Sequence, residues 1–198
     1  MPSILFHELV GYKIASKYKK YDTNNFYLGL MVPDSVNAYG FASKENRWRT
    51  HRRDKNLDIW QENVIKFYKE NKGKFEETYL AGYVIHILTD IICDRIYQNK
   101  LYPKLLEEGY DYNTAYSHYE KGIENFENSN INKDWWKYVK EKFLDGNIEP
   151  ICGMDKQMIF DEVKYTVNKY ENRVYEECGF IGDDFAKEVV EEIVGLSV

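Results

Sequence analysis

Between Phe75 and Tyr97 the chain carries no proline and a single glycine, and most side chains are apolar. Tyr79, Leu80, Tyr83, Val84, Ile85, Ile87, Leu88, Ile91 and Ile92 leave no continuous polar stripe at any helical phase. A helix that is apolar around most of its girth is a central, buried one, so its neighbours must enclose it. Within it stand His86 and Asp90, four residues apart and therefore stacked on one face. Burying an imidazole and an ionised carboxylate is costly unless they are paired or bound to a cation. Arg95 is the nearest rival partner for Asp90 along this helix.

The remaining chain supports an all-α reading. It holds 198 residues with only 4 prolines, enough for a single domain over 1–198. Ser3 begins a first helix over residues 3–20, with Ile4, Leu5, Leu9, Val10, Ile14 and Ala15 facing inward. A short apolar segment, Phe26 to Val32, is stopped by Pro33, which pushes Val32 out of helix and leaves Asp34 in a turn. Residues 35–56 read as irregular loop. Apolar spacing then predicts helices over 57–71, 113–126 (capped by Asn113), 134–144, 156–177 and 183–196, with a connector or short helix around Pro103 and a turn over 127–133. The expected fold is a helical bundle wrapped around the 75–97 helix.

Charge and cysteine use narrow the function. The net charge of −6 argues against duplex nucleic acid as a partner. Residues 44–55 are net +4 within it, through Lys44, Arg47, Arg49, Arg52, Arg53 and Lys55. Cys93, Cys152 and Cys178 are odd in number and widely spaced, as expected of reduced thiols in a cytoplasmic protein. The amino terminus lacks a basic stretch leading into an apolar one, so no signal peptide is expected. His86, Asp90, Asp94 and Arg95 interrupt the apolar helix, so no transmembrane segment is expected either.

The chain has 4 histidines, and His7, His51 and His86 fall beside apolar or basic elements where a ligand would be useful. With Asp34 and Asp90 they make a set of three imidazoles and two carboxylates, which suits zinc, and also manganese or iron, better than copper(I). Spacing alone leaves two readings open for His86 and Asp90, a metal site or a hydrogen-bonded core pair. His7, then Leu28-Gly29-Leu30-Met31-Val32-Pro33-Asp34, then Thr50-His51, then Gly82-Tyr83-x-x-His86-x-x-x-Asp90 resembles the zinc-dependent phospholipase C family, related to the single-strand zinc nucleases. The likeness covers residues 1–98 and leaves 99–198 as a helical second half without a readable motif.

The resemblance implies one ion held by Asp34, His51, His86 and Asp90, and a second held by His7 with Asp90 bridging. Asp94 is the one candidate for a third, because Gly122 stands where a carboxylate should follow His118; His118 itself reads as a surface residue. It further implies a hydrolase cleaving a small phosphodiester, phospholipid headgroup or nucleotide. In that reading Asp34 and Asp90 act on water, and Arg47, Arg49, Arg52 and Arg53 bind substrate phosphate. The alternatives are a non-enzymatic family member with a structural ion, acting as a helical binding module, and a helical interaction module without metal. Oligomeric state is not legible.

Overall fold

The computed structural model of the chain describes residues 2–172 and 183–196. Its α-helices are α1 (Ile4–Lys17), α2 (Asn24–Met31), α3 (Lys44–Thr50), α4 (Leu57–Asn71), α5 (Glu77–Ile96), α6 (Tyr102–Glu107), α7 (Tyr112–Asn130), α8 (Asp134–Leu144), α9 (Lys156–Glu171) and α10 (Asp183–Gly195). Two isolated bridges, Lys72 with Phe75 and Ile151 with Met154, are the only β pairing among the described residues. The protein is an all-α bundle. No described helix is long and apolar enough to cross a membrane.

The centre of the bundle is α5. Glu76 caps it by accepting from the Thr78 and Tyr79 amides, and every residue from Tyr79 to Cys93 is buried. Its most extensive contacts are with α2, and α4 and α10 cover other faces. The α2–α5 contact is unusually close because both helices present glycine to it. A Cβ built on Gly29 would meet the Tyr79 carbonyl oxygen at 2.3 Å, and one on Gly82 would meet that of Phe26 at 2.2 Å. Nothing larger than hydrogen fits at either place. The Thr23 and Thr78 hydroxyls, 2.6 Å apart, pin the starts of the two helices together.

Several boundaries differ from the sequence expectation, each for a local reason. Pro33 does not expel Val32 from helix, since Val32 is αR at φ −60° and ψ −42° and the chain runs straight into a 3-10 turn, Val32–Asn37. The α region before proline is disfavoured, not forbidden, and Pro33 falls in the first turn, where its missing N–H is not needed. The expected loop over 35–56 contains α3, capped by Ser43, whose hydroxyl accepts from the Asn46 amide. The first helix ends at Lys17, short of residue 20, and a separate 3-10 turn occupies Lys19–Tyr21. Helix α7 is capped by Asp111 through a capping box with Thr114, not by Asn113, and it continues through the expected turn as far as Asn130. The central helix passes through a π segment, Tyr97–Leu101, into α6. Cys93 and Cys152 are free thiols. Cys178 and residues 173–177 of the helix expected over 156–177 lie outside the described residues.

Replacing Gly82 or Gly29 by alanine forces the two backbones apart. Each change should lower unfolding free energy by at least about 2–3 kcal/mol, the upper range for an overpacked core, measured by urea denaturation followed by far-UV circular dichroism. A loss below about 0.5 kcal/mol would mean that the helices separate freely.

Candidate metal centre

Five side chains from four separate segments converge. His7 comes from α1, Asp34 from the 3-10 turn after α2, His51 from the C-cap of α3, and His86 and Asp90 from α5. The His51 Nε2 atom lies 3.3 Å from Asp34 Oδ1 and 3.6 Å from Asp90 Oδ2. His7 Nε2 lies 3.5 Å from Asp90 Oδ1. His86 Nε2 lies 3.9 Å from an oxygen of each carboxylate. The His7 and His86 rings stack with centroids 3.6 Å apart. His7, His51, His86 and Asp90 are at most 1% exposed; Asp34, at 15%, is the member that reaches solvent.

Local backbone explains how the rings are aimed. His51 Nδ1 lies 3.0 Å from the Arg47 carbonyl oxygen, and His86 Nδ1 lies 2.5 Å from that of Leu30. A carbonyl only accepts, so Nδ1 carries the proton in both rings and Nε2 presents a lone pair to the cluster. Such a back-side bond to a carbonyl is how ligating histidines are oriented. The glycine-mediated crossing of α2 and α5 is what brings Leu30 within reach of His86.

The cluster is not satisfied by its own members. His7 Nδ1 and Nε2, Asp34 Oδ1, His51 Nε2, His86 Nε2 and both Asp90 oxygens are buried without a hydrogen-bond partner. Unpartnered polar atoms facing one another are costly, and a cation among the acceptors removes much of that cost. Two groups, His7–Asp34–His86 and His51–His86–Asp90, each bring ligand atoms within 4.8 Å of one another, so buried His and Asp residues here could hold a metal ion. His86 is common to both groups, and His7 also lies beside Asp90.

Electrostatics follow from this crowding. Burial pushes the Asp34 and Asp90 carboxyls up, yet the imidazoles of His7, His51 and His86 outweigh it and hold both below their usual range. Burial, reinforced by His7, pushes His86 down to about 3. Burial also pulls His51 down, but the Asp34 and Asp90 carboxylates prevail and its pKa ends above the ordinary value.

The other predicted residues lie elsewhere. Arg95 pairs with Asp58 at 3.2 Å, so it does not neutralise Asp90. Asp94 receives Arg53 Nη2 at 2.7 Å and belongs to neither ligand group. His118 packs against the Tyr110 ring and is likewise outside both groups. Arg47 donates to the Ala42 carbonyl and lies over Phe41. Arg49, Arg52 and Arg53 line a cavity of about 510 Å³ that none of the five converging side chains reaches.

One neighbour carries no sequence motif. Glu162 on α9 is 5% exposed, and burial, then the nearby Asp34 charge, push its pKa up to about 7. The available signal was its place, with Thr166, on the α9 face that also carries Ile159, Val163 and Tyr170.

The raised His51 pKa has a sign that can be tested. In metal-free protein His51 contributes stability that is complete below its unfolded pKa of about 6.5 and lost as pH rises through the higher folded value. A bound cation needs the neutral ring, so its stabilisation runs the other way. Between pH 6 and 9 the melting-temperature gap between wild type and His51→Gln should therefore narrow in chelator and widen with zinc. A zinc-induced shift that is the same at every pH would contradict this assignment. No family model matches the chain, and neither a curated protein nor a solved structure is found similar to it.

Proposed function

We propose that the protein is a metal-dependent phosphoester hydrolase of the zinc-dependent phospholipase C type. Zinc is the ion best suited to the imidazole and carboxylate donors, with manganese and iron as substitutes. The observation that carries the proposal is the set of buried, unpartnered nitrogen and oxygen atoms that His7, Asp34, His51, His86 and Asp90 turn toward one another. A divalent cation in that space would supply Lewis-acid charge to a phosphoryl oxygen and make water nucleophilic near neutral pH.

The chain's own groups divide the remaining work. Asp90, with both oxygens free of hydrogen bonds and three imidazoles around it, is the shared anionic ligand. Asp34 has the exposed edge, so it is placed to hold an attacking water and accept its proton. Glu162, protonated below about 7, suits the donation of a proton to the departing oxygen. The substrate class is a small phosphodiester, a phospholipid headgroup or a nucleotide, entering from the Asp34 side. A second reading draws on the near-complete burial of four of the five residues. An ion with all its positions filled by protein is a structural staple, and the chain would then be a helical binding module without turnover.

Hydrolysis of bis(p-nitrophenyl) phosphate separates the two. The wild type should turn over with zinc, lose activity on chelation and regain it on reloading. His7→Ala and Glu162→Gln should each lower kcat by about 10², Glu162→Gln also removing the limb of the pH profile near 7, while His118→Ala leaves the rate unchanged. Stoichiometric zinc without turnover would assign the centre to the structural role. No turnover with zinc, manganese or iron would end the enzymatic reading.

A further inference from the structure

The basic segment predicted to bind substrate phosphate is used on two sides. His51 serves the metal centre, while its chain neighbours Arg49, Arg52 and Arg53 line a separate cavity of about 510 Å³ with Trp48, Lys66 and Lys74. That volume is typical of a small-molecule site.

The charges in the cavity do not cancel. Arg53 is taken by Asp94 at 2.7 Å, and Lys66 lies 3.8 Å from the carboxylate of Glu70, which is also in the lining. Among the described residues, Arg49, Arg52 and Lys74 have no carboxylate within ion-pair distance. A lining with three uncompensated cations stands out in a chain of net charge −6. Three positive charges suit an anion of two to three negative charges, such as an ionised phosphate monoester or a pyrophosphate group.

The backbone points to Arg52 in particular. Helix α3 ends with the Arg53 amide donating to the Trp48 carbonyl and the Arg52 amide donating to that of Arg49. This is the Schellman pattern, whose left-handed position is usually glycine. Here it is Arg52, at φ +54°. A non-glycine residue in that conformation costs roughly 1–2 kcal/mol. The only other described non-glycine residue with positive φ is Cys152, at +53°, and the two touch, with Arg52 Nη2 3.1 Å from Cys152 Sγ. Arg52 also lies 4.2 Å over the Phe67 ring, while its Nε is buried without an acceptor. The guanidinium is thus held in a fixed place, at a conformational cost, with a donor unspent. Strain of this kind gathers where a side chain must be presented.

We propose that this cavity is a second anion site, distinct from the metal centre, that binds a phosphate monoester or pyrophosphate group through Arg52, Arg49 and Lys74. The phosphate held there is not the one hydrolysed at the metal centre. Guanidinium groups bind such oxygens by paired, charge-assisted hydrogen bonds.

The test is calorimetric titration of inorganic pyrophosphate into full-length protein that has been stripped of metal and dialysed free of chelator, in 150 mM salt. Because no metal is present, the outcome does not depend on the hydrolase reading. Saturable one-to-one binding is expected. Arg52→Gly and Lys74→Gln should each weaken it about tenfold or more, the loss expected for a hydrogen bond to a charged group. Arg52→Gly introduces the residue that the helix end favours, and Lys74 is exposed, so both proteins should fold. Competition by a nucleoside diphosphate would identify a free solute as the source of the group. Pyrophosphate-reversible sedimentation with phosphatidic acid vesicles would identify a lipid headgroup. No binding, or binding unchanged in both variants, would overturn the site.

Discussion

The structure depends on two helices meeting at their backbones. Gly29 and Gly82 leave no side chain between the α2 and α5 backbones where they meet, and the consequences reach directly to the metal centre. Leu30 comes close enough for its carbonyl to fix the His86 ring, and the turn that follows α2 carries Asp34 to the same place. The apolar surface of both helices then supplies a large share of the core: Phe26, Leu28, Leu30, Val84, Ile87, Leu88 and Ile91 are all at most 1% exposed. Packing energy and site geometry therefore have one origin. A looser crossing would retain much of the burial and lose the orientation of His86.

The second constraint is charge. Two carboxylates and three imidazoles share a space from which water is nearly excluded, and hydrogen bonding among them is incomplete. Mutual attraction keeps Asp34 and Asp90 ionised and raises the pKa of His51, while His86 is driven neutral. A core built for stability alone would fill this volume with aliphatic side chains, since buried ion pairs commonly contribute less than well-packed apolar groups. Among the described residues no lysine or arginine is paired with Asp90, Arg95 and Arg53 being engaged elsewhere. These facts favour a cation at the centre over a network of ordinary core hydrogen bonds.

Much of this was legible in the sequence, because the physics involved is local or periodic. The apolar girth of α5 identified the centre of the bundle, and the limits of α4 and α8 followed from spacing with clear stops. The five converging residues were named through the resemblance of residues 1–98 to the zinc-dependent phospholipase C family, since spacing alone left His86 and Asp90 open between a metal site and a core pair. Helix α3 was not, since a seven-residue helix made by a serine cap has no apolar period to read. The direction of the arginines was also hidden. It is set by the helix end at Arg52, a left-handed residue that composition does not reveal, and it sends Arg49, Arg52 and Arg53 to a cavity apart from the five ligands. Glu162 comes under the influence of Asp34 because α9 packs on the Val32–Asn37 turn, a long-range contact that its place on the buried α9 face does not by itself specify.

The central claim is that His7, Asp34, His51, His86 and Asp90 surround a bound cation. Anomalous diffraction at the zinc edge, from crystals of protein prepared without chelator and loaded with zinc, tests it most directly. The account predicts a peak enclosed by these five side chains, within about 2.0–2.2 Å of imidazole nitrogens and carboxylate oxygens. Well-ordered side chains with no peak among them, or zinc bound only elsewhere on the protein, would contradict it.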